Sequence, residues 1–313
     1  MTQSENSRIK CEPCHCVNVH RITRWLNWVR NEYDSNSNRI HLFYFYLIFY
    51  TCLAALFAIC MATFLQHFIN PRVPRLQQHS VIGTSPGLGF RPVPADVRST
   101  LIYYKGTSHS SYKYWEDQLI EFLSVYKTTG QTAGVGQNIA TCGFDITQEP
   151  GKVCNVNIRD WKPCIDENHF SFHLSSPCIF LKLNRIFGWR PEYYNETQNL
   201  PADMPDQLRD QIFNISKIHG PSHLNMVWVS CQGETPADKE NIGKVSYLPQ
   251  AGFPGYYYPY NNAEGYLSPL VAIHLEGPKT GILINIECRA WARNILYSRR
   301  ERLGVVHFEL MLE

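Results

Sequence analysis

Apolar and polar positions divide the chain into regions of different character. Residues 1–41 are polar and irregular, with a Ser/Asn-rich stretch at Ser35–Asn38. Leu42–Leu65 (LFYFYLIFYTCLAALFAICMATFL) then runs for 24 residues without a charge. At about 1.5 Å per residue this run predicts a helix roughly 36 Å long, enough to cross a hydrocarbon core of about 30 Å. It begins too far into the chain for a signal peptide, is too long for an h-region and lacks a small-residue cleavage site. No second run of this kind follows. Pro71, Pro74, Pro86, Pro92 and Pro94 resist helix and predict an extended stalk.

From Leu101 the pattern becomes globular. Trp115, Leu119, Phe122, Leu123 and Tyr126 recur at helical spacing and predict an amphipathic helix over Tyr112–Lys127. Beyond it the chain reads as strands. Val227–Cys231 and Leu270–Leu275 are short β-rich runs, and Gly281–Trp291 alternates or runs apolar toward Cys288. Val306, Phe308, Leu310 and Leu312 alternate with His307, Glu309 and Met311. The expected architecture is a single transmembrane helix followed by a mainly-β domain, an antiparallel β-sandwich with one inserted helix. Its divisions are 1–41 tail, 42–65 transmembrane helix, 66–100 stalk and 101–313 extracellular domain.

Composition narrows the class. With 44% hydrophobic and 18% charged residues, the chain is too apolar for disorder and too mixed for a multi-spanning membrane protein. A net charge of +2 gives no reason to expect nucleic-acid binding. The 11 cysteines sort by position. Six follow the span: Cys142, Cys154, Cys164, Cys178, Cys231 and Cys288, an even number suited to disulfides. Cys52 and Cys60 lie in the span and read as small apolar residues. Cys11, Cys14 and Cys16 form C-x-x-C-x-C around His15; that spacing suits zinc or acyl chains, but reduced thiols on a polar tail are the simpler reading.

The same side of the span carries two glycosylation sequons, at Asn195 and Asn214. Arg24, Arg30 and Arg39 precede the span, whereas only Arg72 and Arg75 closely follow it. Together these place the N-terminus in the cytosol and the large domain outside. Trp25 and Trp28 suit either an interfacial anchor or a short exposed amphipathic turn. Six cysteines allow about fifteen connectivities, which the residues alone do not decide; neighbour pairing is the simplest.

Catalytic motifs fail on chemistry. Gly83-Thr84-Ser85-Pro86-Gly87 has the letters of a nucleophile elbow, but Pro86 lacks the N–H that such an elbow gives the oxyanion. His169 and His173 are four apart without the glutamate of H-E-x-x-H, so they are not read as a metal site. Gly130, Gly134 and Gly136 lack the Lys-Ser/Thr of a phosphate loop and read as a turn. No D-x-D pair is present. No cofactor is expected.

The span itself carries a pattern. Ala54, Ala58 and Ala62 recur every four residues and would let another helix approach closely. Tyr46 and Tyr50 are also four apart, and a tyrosine hydroxyl inside a bilayer needs a partner. Tyr44 and Tyr46 also suit an interfacial belt, and the alanines a lipid-facing anchor, but Tyr50 lies deeper and the pattern suggests an assembly subunit.

Together these residues resemble the β subunit of the Na,K-ATPase and H,K-ATPase family, in an invertebrate-like version. Phe45-Tyr46-Leu47-Ile48-Phe49-Tyr50 with Cys52-Leu53-Ala54 resembles its span, and Ser85-Pro86-Gly87-Leu88 its stalk. Ser111-Tyr112-Lys113-Tyr114 through Phe122-Leu123 and Tyr126 resembles its membrane-distal helix. Pro177-Cys178-Ile179-Phe180-Leu181-Lys182-Leu183-Asn184-Arg185-Ile186 is the most specific block. Tyr257-Tyr258-Pro259-Tyr260 and Tyr266-Leu267-x-Pro269-Leu270 complete the set.

The resemblance implies an immunoglobulin-like ectodomain, three neighbour-paired disulfides and no active site. It implies a heterodimer with the ten-span catalytic α subunit of a P-type ATPase, whose folding, surface delivery and potassium affinity the β chain serves. It also implies that Tyr46 and Tyr50 contact an α helix and that Tyr257, Tyr258, Pro259 and Tyr260 contact an extracellular α loop. Ala54 and Ala58 join the expected span interface. The expected setting is the plasma membrane, in contact with lipid. The tail cysteines depart from the common vertebrate pattern. An adhesion glycoprotein with homophilic contacts between cells is the alternative, but it has no need of the tyrosine–alanine pattern in the span. A lumenal enzyme lacks a motif that survives these tests.

Overall fold

In the computed structural model, residues 38–69, 73–77, 79–81, 83–96, 98–128, 138–146 and 151–313 are described. Cys11, Cys14, Cys16, Trp25, Trp28 and the segment of Gly130, Gly134 and Gly136 lie outside them. The chain divides into two compact units, residues 1–70 and 71–313.

In the first unit, helix α1 spans Asn38–Phe68 and extends beyond the uncharged run at both ends. His41 and Gln66-His67 continue the helix because neither glycine nor proline interrupts it. Its 31 residues measure about 46 Å, so the polar ends reach the depth of the headgroups. The apolar stretch Ile40–Phe68 has none of its most hydrophobic window buried by protein. A surface of this kind is stable only against lipid or another helix.

The second unit is built on two main sheets. One has the order β1-β5-β9-β7, and the other β2-β11-β10-β6-β8. The first comprises β1 Leu88–Arg91, β5 Cys178–Leu183, β7 Lys244–Leu248 and β9 Leu270–Glu276. The second comprises β2 Leu101–Tyr104, β6 Met226–Gly233, β8 Gly252–Pro254, β10 Leu283–Trp291 and β11 Val305–Leu312. One apolar core draws on both, and Phe90 of β1 stacks on Phe308 of β11 with ring centroids 5.1 Å apart. Strands β5, β6 and β9 are buried along nearly their whole length, so they read as apolar runs rather than alternations.

The fold departs from a purely antiparallel sandwich. Strand β2 pairs with β11 in parallel, Leu101 opposite Glu309 through Tyr104 opposite Leu312. A small parallel pair, β3 Ile139–Ala140 and β4 Val153–Cys154, stands apart. Parallel partners need a long connection, and here nearly the whole domain supplies it. Part of the proline-rich stretch also belongs to the core. Leu88 and Phe90 of β1 are buried and pair with Leu183 and Leu181.

Helix α2, His109–Thr128, buries Trp115, Leu119, Leu123 and Tyr126, the face that helical periodicity selects. Two further helices were not apparent from the pattern. Helix α3, Asp206–His219, inserts Leu208 and Ile212 into a second, smaller core with Ile215 packed against it, while Phe213 and Ile218 are exposed. Helix α4, Pro236–Asn241, begins with a capping box. Thr235 Oγ1 accepts from the Asp238 amide, and Asp238 accepts from the Thr235 amide, both at 3.1 Å. Asp238 also accepts from the Asn285 amide on β10 at 3.1 Å, which fastens the helix to the sheet.

The disulfides join Cys142 to Cys154, Cys164 to Cys178 and Cys231 to Cys288. The last links directly opposite residues of β6 and β10 within one sheet. It closes the longest interval, 57 residues, and therefore restricts the unfolded chain most.

Two predictions follow from this architecture. Cys231→Ser should cost about 2–5 kcal/mol and retain the protein in the endoplasmic reticulum, seen as core-glycosylated chain that fails to reach the surface; normal surface delivery would show that the bridge is dispensable. Burial pushes the Asp238 carboxyl up, but the bonds from Thr235 and Asn285 outweigh it and hold the group below its ordinary 3.8. Its stabilisation is therefore full above the unfolded pKa and is lost as pH falls through the lower folded value. Asp238→Ala should lower stability by about 0.5–2 kcal/mol at neutral pH. The gap between variant and parent thermal midpoints should close in acid.

Candidate functional site

Two surfaces present the residues singled out by the sequence, one on each unit. On α1, Tyr46, Tyr50, Ala54, Ala58 and Ala62 fall on a single i, i+4 row. Such a row forms one of the ridges by which helices interlock. At its upper part the Tyr46 and Tyr50 rings stack with centroids 6.1 Å apart. Below them the alanines present only methyl groups, so a partner backbone can come close. All five residues are exposed.

Hydrogen bonding separates the tyrosines from the threonines of the helix. Thr51 donates to the Leu47 carbonyl at 2.6 Å, and Thr63 donates to the Ile59 carbonyl at 2.9 Å. A short side chain can return its proton to its own helix in this way. A tyrosine hydroxyl stands at the end of a rigid ring and cannot. Among the described residues, neither the Tyr46 nor the Tyr50 hydroxyl has a hydrogen-bond partner. Cys52 and Cys60 are free thiols on the same helix.

On the second unit, Tyr257–Tyr260 leaves β8 through a tight turn, Gly255–Tyr257. Gly255 is required there, because a Cβ would lie 2.4 Å from the Tyr193 hydroxyl and 2.6 Å from the Asn225 carbonyl. Each aromatic residue is then fixed differently. Tyr257 donates to the Asn155 carbonyl at 2.9 Å. Tyr258 turns inward, edge-on to Trp189 at 5.4 Å. Its buried hydroxyl has no hydrogen-bond partner, and burial drives its pKa well above the ordinary tyrosine value. Tyr260 donates to Asn262 at 2.9 Å and packs on Tyr266 at 4.9 Å. The Arg185 guanidinium lies 5.5 Å from both of these rings. Burial lifts the Tyr266 hydroxyl to about 12 although Arg185 acts against it.

The segment is bordered by two clefts. One, of about 370 Å³, lies between Tyr260, Arg185, Phe187 and the chain at Val73–Gln77. The other, of about 260 Å³, lies beside Tyr257, Pro259, Arg190 and Tyr266. A rigid aromatic strip between two hollows is a surface suited to binding a loop. Arg185, Phe187 and Tyr266 complete it. Arg185 and Tyr266 were signalled in the sequence, in the Pro177–Ile186 block and in Tyr266-Leu267, whereas Phe187 was not, and periodicity gave no reason to bring those segments to Tyr260.

Asn195 is exposed in an irregular segment, and Asn214 is exposed on α3. Ser85, the would-be nucleophile, accepts a bond from the Leu296 amide at 3.1 Å.

Comparison with known proteins gives a consistent answer. The sequence model of the family described as "Sodium / potassium ATPase beta chain" matches residues 35–308. The chain is 57% identical over 272 residues to sodium/potassium-transporting ATPase subunit beta-2 of Drosophila melanogaster, covering 86% of this chain and 84% of that one. It is 42% identical over 275 residues to subunit beta-1 of the same organism, covering 87% and 85%. Against subunit beta-2 of Homo sapiens it is 24% identical over 282 residues, covering 86% and 84%.

Proposed function

The chain belongs to the sodium/potassium ATPase beta chain family, and from that membership we propose that it pairs with the catalytic α subunit of a sodium/potassium-transporting P-type ATPase. It is a non-catalytic, single-pass type II membrane protein with a large C-terminal extracellular domain. Its work in this reading is binding: it assists folding, assembly and surface delivery of α and tunes the affinity of α for potassium.

The observation that carries the reading is the row of Tyr46, Tyr50, Ala54, Ala58 and Ala62. A lipid-facing anchor needs only apolar surface. Two tyrosine hydroxyls without partners above a run of alanines make sense against another helix, whose groups can meet the hydroxyls and whose backbone can approach the alanines. Tyr257, Tyr258, Pro259 and Tyr260, with Arg185 and Tyr266, form the extracellular contact in this reading, the two flanking clefts receiving an α loop. Asn195 and Asn214 carry glycans that keep the rest of the exposed surface solvated. The paired sheets are a variant of the immunoglobulin-like sandwich. Potassium affinity shifts only to the extent that these contacts are stronger in one α conformation than in the other.

Tyr46→Leu combined with Tyr50→Leu keeps the helix apolar and removes both hydroxyls. The pair should reduce the amount of α recovered with the protein from mild detergent several-fold, at the roughly 1 kcal/mol that one interhelical hydrogen bond contributes. Ectodomain disulfides should form normally. Undiminished recovery of α would remove the span from the interface.

A further inference from the structure

The extracellular domain also gathers a cluster that sequence spacing does not reveal. Glu116 is buried on α2, and its two carboxylate oxygens face two histidines. Oε1 lies 2.8 Å from His169 Nδ1, and Oε2 lies 3.5 Å from His109 Nε2. Among the described residues these histidines are the only ion-pair partners of Glu116. The His109 and His169 rings are themselves 5.9 Å apart, and the His173 ring is 5.7 Å from that of His169.

His109 and Glu116 come from two turns along one helix face, whereas His169 comes from the loop closed by Cys164–Cys178. His169, Phe170 and Ser171 hold φ of 48°, 47° and 60°, a left-handed run that non-glycine residues rarely adopt. Fully buried Phe170 and Phe172 hold the loop in this conformation, and the run turns the His169 ring toward the carboxylate.

We propose that His109, Glu116 and His169 form a zinc site on the extracellular domain. One ligand atom from each lies within 4.8 Å of the others. Two imidazoles and one carboxylate form the donor set that zinc takes in three-ligand sites, with a fourth position open to water. Calcium and magnesium are disfavoured, because they prefer oxygen throughout. Tetrahedral zinc bonds of about 2.0–2.1 Å put ligand atoms roughly 3.3 Å apart, so atoms now up to 4.8 Å apart must swing inward by up to about 1.5 Å, while His169 Nδ1 and Glu116 Oε1, now 2.8 Å apart, open slightly. The exposed His109 ring is free to make that swing. The cation would take the place of the direct His169–Glu116 contact, neutralise the buried carboxylate, and tie α2 to the disulfide loop.

The test uses the full chain without a polyhistidine tag, with Cys11, Cys14 and Cys16 changed to Ser so that the tail thiols do not compete. Zinc binding is measured in mild detergent by competition with a chromophoric chelator. The expected result is one saturable site per chain, weakened at least about tenfold by His169→Ala and likewise by His109→Ala. Because the His109 side chain is exposed, that variant should keep the metal-free unfolding temperature and so separates loss of a ligand from misfolding. Zinc should raise the unfolding temperature of the parent but not of either variant. The absence of a saturable site, or a site that either histidine substitution weakens less than tenfold, would overturn the proposal.

Discussion

The extracellular domain depends on one pairing, that of β2 with β11. Strand β11 lies between β2 and β10, so the start of the domain is held by residues some 200 positions later. The seal continues past the strands. Glu313 donates its amide to the Tyr104 carbonyl and accepts from the Gly106 amide, each at 3.1 Å, while its carboxylate pairs with Lys105. Ile102 and Tyr104 are wholly buried by this closure. Helix α2 hangs from the same edge, where Trp115 Nε1 donates to the Tyr103 carbonyl at 3.0 Å. Until residues 305–313 are in place, neither the five-stranded sheet nor the seat of α2 can form.

The two other long-range constraints extend that closure toward the binding strip. Cys231–Cys288 clamps β6 to β10, and β6 carries β8, from which Tyr257–Tyr260 emerges. The strip is thus an outgrowth of the sheet edge, braced by Asn155, Trp189 and Tyr266. A surface fixed in this way loses little entropy when a partner binds. Failure of the disulfide or of the β11 closure would reach the strip through the sheet.

Much of this was legible in the sequence because the physics involved is local. The uncharged run marks a span whatever surrounds it, and the alternation in Val306–Leu312 marks a strand. The buried face of α2 follows from 3.6-residue periodicity alone. Long-range features were not legible. An alternating strand does not state its partner, so the parallel pairing of β2 and β11 was invisible. Helix α3 was legible in principle, since Leu208, Ile212 and Ile215 fall at helical spacing, but the polar residues between them obscured the row. Leu88 and Phe90 were masked by the prolines around them. In the candidate surfaces, Tyr46 and Tyr50 were apparent from spacing and membrane energetics, whereas Tyr257–Tyr260 rested on family resemblance. His109 and His169 meet only because two elements 40 residues apart fold together.

In the proposed function, this protein binds a catalytic chain through its span and its extracellular strip. The most direct measurement is purification of the tagged protein from its own cells in mild detergent, with the recovered chains quantified by mass spectrometry. A P-type ATPase α chain should be recovered at close to one copy per copy of this protein. Recovery of the glycosylated, surface-delivered protein with no such chain would contradict it.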